Sequence, residues 1–242
     1  MSAGAELATR LAGVRARIEA AAARAGRAAD EIALIGVSKR QPAALVSAAV
    51  RAGLGEIGEN YVQEAVAKHA QVSEALADTG TAAPRWHFIG QLQRNKARHV
   101  VGCFDVVQTV DRESLGDELE RRAQAADRRL EVLLQVDLSD EPQKGGVAPD
   151  GLRDLLAAST RWQALRVTGL MAIPAATDDP EQSRPAFARL RELRDAHRDG
   201  PGAEQLRELS MGMSGDFEVA IEEGATIIRV GTAVFGPRAD PA

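Results

Sequence analysis

A chain of 242 residues has room for one large α/β domain, and a (β/α)8 barrel of about 250 residues is a common single-domain solution at that size. Hydrophobic residues at 45% and charged residues at 27% supply a full core and exclude wholesale disorder. A formal net charge of −5 excludes the global positive field that draws nucleic acid or an anionic membrane surface.

The Ala-rich opening, residues 5–26, predicts a helix. Its arginines resemble a transit peptide, but Glu6 and Glu19 interrupt them and no apolar signal core follows. Short β-branched or apolar runs then alternate with longer amphipathic ones, the pattern of repeated βα units. The expected strands are 32–38, 56–58, 86–89, 106–109, 131–137, 166–173, 206–210 and 226–230. Expected helices include 42–52, which opens on Pro42, 112–127 with Leu115, Leu119 and Ala123 on one stripe, 184–197 and 216–223. Only the last strand lacks a following helix and leads into a short tail. Eight units in one unbroken series predict a single closed α/β TIM barrel over 1–238, with an extra N-terminal helix and a frayed tail at 239–242, rather than an open doubly wound sheet.

No apolar stretch approaches the roughly 18 residues of a membrane span. The single cysteine, Cys103, excludes an intramolecular disulfide and a cysteine-only metal cage, and it fits a reducing, cytoplasmic location. His69, His87, His99 and His197 lack any metal-ligand spacing. No metal is expected.

In a parallel barrel, residues just beyond the carboxyl ends of the strands share one face. Lys39, Asn60, Gly90, Lys144, Met171, Ser214 and Gly231 fall at or near that rim. Lys39 ends an apolar run, where partial desolvation lowers an amine's pKa and suits it to attack a carbonyl; a solvated lysine at a strand end is the alternative. The late turns Ser210–Gly215 and Arg229–Thr232 follow strands seven and eight, where barrels bind phosphate through backbone N–H groups. Ser214 can cap the helix beginning near Asp216 and donate its hydroxyl to a phosphate oxygen, or serve as a cap alone. Arg229, a charge within a strand, needs a partner. A pyridine nitrogen and an acidic side chain both qualify.

At these residues the chain resembles the pyridoxal phosphate homeostasis proteins, the YggS/PROSC-like family. The matching segments are Val37–Lys39, Gly58–Glu64, Trp86–Gly90 with Leu92-Gln93 and Asn95-Lys96, Gly169–Pro174, and Leu209–Ser214 through Gly236. Gln91, where proline is common, and Arg94 depart from the pattern. The resemblance implies a barrel like the N-terminal domain of alanine racemase, of fold type III, holding pyridoxal 5′-phosphate as a Schiff base on Lys39. It implies phosphate contacts from Ser214, Gly231 and Thr232, Arg229 at the ring nitrogen, and Asn60, His87 and Met211 lining the pocket. Lys144, on the loop after the fifth strand, is a candidate transient acceptor of the aldehyde.

The function implied is storage, buffering or delivery of the cofactor, with pyridoxal-phosphate-dependent apoenzymes as possible recipients. A racemase of this fold is the alternative, but it needs a second acid/base group, commonly a tyrosine from a further domain or subunit. This chain has one tyrosine, Tyr61, at the start of a helix. A non-catalytic monomer is the expectation.

Overall fold

In the computed structural model, which describes residues 3–139 and 145–237, eight parallel strands close into a barrel in strict chain order. They are β1 (Ala33–Val37), β2 (Glu56–Glu59), β3 (Arg85–Phe88), β4 (Val106–Val110), β5 (Leu130–Gln135), β6 (Leu165–Met171), β7 (Glu208–Ser210) and β8 (Ile227–Val230). Closure is made by β1 and β8, which pair from Ala33↔Ile227 to Gly36↔Val230. All eight expected strands form, with ends shifted by up to two residues. The short second and third strands are real: both have four residues, and they pair along their full length.

The helices are α1 (Ala3–Arg24), α2 (Ala43–Arg51), α3 (Val62–Leu76), α4 (Ala97–Cys103), α5 (Glu113–Ala125), α6 (Leu152–Ser159), α7 (Arg184–His197), α8 (Phe217–Glu222) and α9 (Thr232–Phe235). The last corrects the sequence reading, which gives β8 only a tail. Four residues are too few to display a period, yet α9 buries Val234 and Phe235. The expected tail at 239–242 and the loop residue Lys144 lie outside the described residues.

Strand alternation divides the core into two layers. Inside the barrel, Ile35, Val106, Leu133, Met171 and Ile227 pack together. Between barrel and helices lies a larger layer that includes Phe88, Phe104, Leu115, Leu119 and Phe217. The extra helix joins that layer because Leu7, Leu11, Val14, Ile18 and Ala21 fall on one buried stripe. It packs on α8, α9 and α2, and Arg17 and Arg24 fasten it to Glu218 and Glu222 of α8. The N-terminal helix thus braces the segments that follow strands seven and eight.

Candidate functional site

The chain reverses sharply after β1, and the residues on both sides of Lys39 are gripped by the next βα unit. Ser38 is fully buried; its hydroxyl donates to Glu59 Oε1 at 2.6 Å, and its carbonyl accepts from Lys68 Nζ at 2.6 Å. On the other side, the Arg40 N–H donates to Glu64 Oε1 at 2.5 Å, and Arg40 adopts a left-handed φ of 60°. Lys68, itself 4% exposed, ties the two carboxylates together. Burial raises the Glu59 carboxyl above its ordinary range, opposed by hydrogen bonds from Lys68 and Ser38. Lys39 therefore stands on backbone fixed from two directions.

Lys39 opens onto a cavity of about 280 Å³ at the carboxyl ends of the strands. Asn60, Ser214, Arg229, Gly231 and Thr232 line it as well, so six of the eight expected site residues meet around one space. Asn60 Oδ1 is buried without a hydrogen-bond partner, an acceptor left for whatever enters. The Asn60 backbone lies against Gly90, where an added Cβ would come within 2.1 Å of the Asn60 carbonyl oxygen.

Two expected pocket residues lie elsewhere. Met211 follows inward-facing Ser210, so its side chain turns outward and is fully buried between barrel and helices; Met213, two residues on, reaches the cavity instead. His87 does face inward but sits deeper than Ile89, which walls the cavity. Its ring contacts Glu56 and Gln108 rather than the cavity. Val37, Ile89 and Ile173 are lining residues that the sequence reading omits. Each stands at the carboxyl end of an expected strand, a signal sufficient to find them.

The two late turns converge differently from expectation. Ser214 does not cap α8; its Oγ accepts from the Ala233 N–H at 3.4 Å, at the start of α9. Asp216 closes the turn instead, accepting from the Met213 N–H at 2.6 Å and from Ser183 Oγ at 3.1 Å. Gly212 has a φ of 91°, and an added Cβ would approach Ala220 Cβ to 2.6 Å, so this glycine is required by the turn. Its carbonyl accepts from the Arg229 N–H at 3.0 Å, linking the two turns. Ser214, Gly231 and Thr232 consequently form one polar corner of hydroxyl and backbone groups.

Arg229 is 4% exposed. Its Nη1 donates to Ser210 Oγ at 2.7 Å and its Nη2 to the Ala172 carbonyl at 2.9 Å. No carboxylate forms an ion pair with it among the described residues, so the acidic partner considered from sequence is not what holds it. Burial lowers its pKa to about 10, with Asp216 opposing the shift, and the guanidinium remains charged at neutral pH. Tyr61 is 49% exposed and does not line the cavity. Among the described residues no cluster of metal-ligating side chains occurs, and no helix is long and apolar enough to cross a membrane.

A closed barrel in this strand order, with its polar cavity at the carboxyl ends, defines the class, and residues 10–239 match the family profile of the alanine racemase N-terminal domain. The resemblance to solved alanine racemase extends to fold: that of Corynebacterium glutamicum superposes with a TM-score of 0.60 at 16% identity, over 96% of this chain and 63% of that one. Much closer are the pyridoxal phosphate homeostasis proteins of Aquifex aeolicus, 44% identical over 95% of this chain and 97% of that protein, and of Escherichia coli K12, 42% identical over 96% and 97%. The chain belongs to this family. PipY of Synechococcus elongatus, solved with pyridoxal phosphate bound, is 36% identical with a TM-score of 0.82 and covers 95% of this chain and 100% of that one.

Proposed function

We propose that this protein binds pyridoxal 5′-phosphate through Lys39 and serves its storage, buffering or delivery rather than turning over a substrate. The observation that carries this reading is the convergence of Lys39, Arg229 and the Ser214–Gly231–Thr232 corner on one cavity. The cofactor supplies an aldehyde, which condenses with a primary amine, and a dianionic phosphate. The donor set fits both ends. Ser214 and Thr232 offer hydroxyls and Gly231 a close backbone approach for the phosphate, while Asn60 Oδ1 is a buried acceptor without a protein partner. Arg229, a donor only, suits an unprotonated ring nitrogen and disfavours its protonation. PipY, solved with pyridoxal phosphate bound, supports cofactor binding by this fold.

A barrel enzyme that moves a proton on both faces of its substrate needs a second acid/base group. Tyr61 points away to solvent, which supports a non-catalytic holder over a racemase. The reading extends to a single-domain monomer in the cytoplasm, consistent with one unpaired cysteine and the absence of a membrane-crossing helix among the described residues, and to pyridoxal-phosphate-dependent apoenzymes as recipients.

The test is spectroscopic and chemical. Mixing protein with pyridoxal phosphate should produce a visible absorption band that borohydride fixes onto a Lys39 peptide, and Lys39→Ala should lose both. Transfer to an apoenzyme should then be measured beside a racemase assay. Rapid racemisation abolished by Lys39→Ala would overturn the non-catalytic reading, and absence of the band would overturn cofactor binding.

A further inference from the structure

The interior of this barrel is aliphatic around Ile35, Val106, Leu133, Met171 and Ile227, yet a polar series crosses it. Arg229 Nη1 on β8 donates to Ser210 Oγ on β7 at 2.7 Å. Ser210 Oγ donates across the barrel to Gln108 Oε1 on β4 at 2.6 Å. Gln108 Nε2 stands 3.0 Å from His87 Nδ1 on β3, and His87 Nε2 contacts the Glu56 carboxylate at the amino end of β2. Ser210 and Gln108 are completely buried, and His87 is 1% exposed.

The chemistry of the groups forces one direction on every link. An arginine can only donate, so Ser210 Oγ must accept from it and has its single proton left for Gln108 Oε1. Accepting at the amide oxygen orients Gln108 with its NH2 toward His87, so Nδ1 must be the unprotonated ring nitrogen. The ring proton then sits on Nε2 and points at a carboxylate, which accepts. Donation runs from the guanidinium to Glu56 without a reversal. A buried guanidinium held only by neutral oxygens would be costly, and aligned, mutually polarising hydrogen bonds ending at a carboxylate offset that cost.

We infer that Ser210, Gln108 and His87 are positioning residues, which hold Arg229 toward the cavity through a one-way hydrogen-bond series anchored on Glu56 at the opposite face of the barrel. Ser210 and Gln108 fix the guanidinium from below, and His87 fixes Gln108. The cofactor consequence rests on the proposed function; the series itself does not.

The experiment has two arms. In cofactor-free protein labelled with nitrogen-15, NMR should show His87 neutral with its proton on Nε2. In Gln108→Glu, the introduced carboxylate still accepts from Ser210 but cannot donate to Nδ1, so Nδ1 should change from acceptor to donor and its nitrogen-15 resonance should move accordingly. A proton on Nδ1 in the wild type overturns the series. In the second arm, Gln108→Met should weaken pyridoxal phosphate binding roughly tenfold, within the range of coupling in such networks, and shift the absorption maximum of the bound cofactor. Val106→Ala, which removes an interior side chain outside the series, controls for loss of packing and should leave that maximum unmoved. Identical spectra and affinities for the two variants overturn the positioning role, and Ser210→Ala, which removes the group that accepts from the guanidinium, replaces Gln108→Met if the latter does not fold. A wild type with no cofactor band counts against the proposed function and the cofactor coupling together, while the His87 tautomer still decides the series.

Discussion

The Gly90 Cα faces the Asn60 carbonyl so closely that a Cβ would lie 2.1 Å from its oxygen and 2.8 Å from its carbonyl carbon. Both partners are backbone, so no side-chain rotation relieves the contact. Gly90→Ala should push the Asn60 segment, and with it a wall of the cavity, at an overpacking cost of about 1–3 kcal/mol. The expected outcome is a lower thermal midpoint together with weaker pyridoxal phosphate binding. Calorimetry and an absorbance titration on the same preparation check it. A variant that binds the cofactor as tightly as the wild type would mean that the wall does not matter.

Lys68 gives a second expectation. Its ammonium is 4% exposed and bridges Glu59, Glu64 and the Ser38 carbonyl. Lys68→Met leaves the fully buried Glu59 without its cation, and removing one partner of a buried pair costs about 3–5 kcal/mol. Burial raises the Glu59 pKa even with Lys68 present, so without the ammonium the folded state should favour the protonated acid. Stability of the variant is then greatest at low pH and lost as pH rises through the folded pKa. Chemical denaturation at acidic and neutral pH should show the larger deficit at neutral pH, and adding Glu59→Gln should restore part of it.

The strands were legible because β-branched runs such as Ile32–Val37 and Thr226–Val230 are bounded by turn-forming or polar residues, and their order alone implies the barrel. Lys39, Arg229, Gly231 and Thr232 were legible for the same reason, since the end of a strand fixes the rim of the barrel. Orientation was harder. Met211 and Met213, two residues apart, would share a face in a continuing strand; they part because β7 ends at Ser210 and Gly212, with a φ of 91°, turns the chain between them. The pairing of β4 with β5 shifts register between Val107 and Val110, so alternation counted from inward-facing Val106 places Gln108 inward while the count from outward-facing Val110 places it outward. Long-range partners such as Ser210 and Gln108 have no local sequence signature at all.

Cys103 is 8% exposed, and burial, helped by Asp105, pushes its thiol from 9.0 up to about 12. The thiolate is the nucleophile, so at pH 8 the native protein should hold roughly a thousandfold less of it than an unfolded chain. Iodoacetamide should leave Cys103 unmodified in native protein and label it promptly in guanidinium. Because the folded pKa is raised, the neutral thiol stabilises the fold below pH 9.0 and that contribution fades toward about 12. Cys103→Ala should therefore soften alkaline unfolding. Fast labelling of the native protein would show that the site opens readily.

Arg184, at the start of α7, joins Glu181 to Glu222 at the end of α8 and to Glu223 just beyond it, and Arg24 of α1 reaches the same Glu222. Glu222 is held below its ordinary 4.5, first by Arg184 and then by Arg24. Burial pushes Glu223 up, but Arg184 and Arg191 outweigh it and its pKa also falls. With Arg184 32% exposed, the network is screened, and Arg184→Met should cost about 1 kcal/mol, a fall of about 2–4 °C in the thermal midpoint for a domain of this size. The sign in pH follows from depressed carboxylates: their stabilisation is present above 4.5 and is lost as pH falls through the lower, folded pKa values. Thermal melts should accordingly show a constant gap between wild type and Arg184→Met from pH 6 to pH 8 and a gap that closes as Glu181, Glu222 and Glu223 protonate. A gap that persists in full after the glutamates have protonated would assign the loss to the packed arginine stem rather than to its charge.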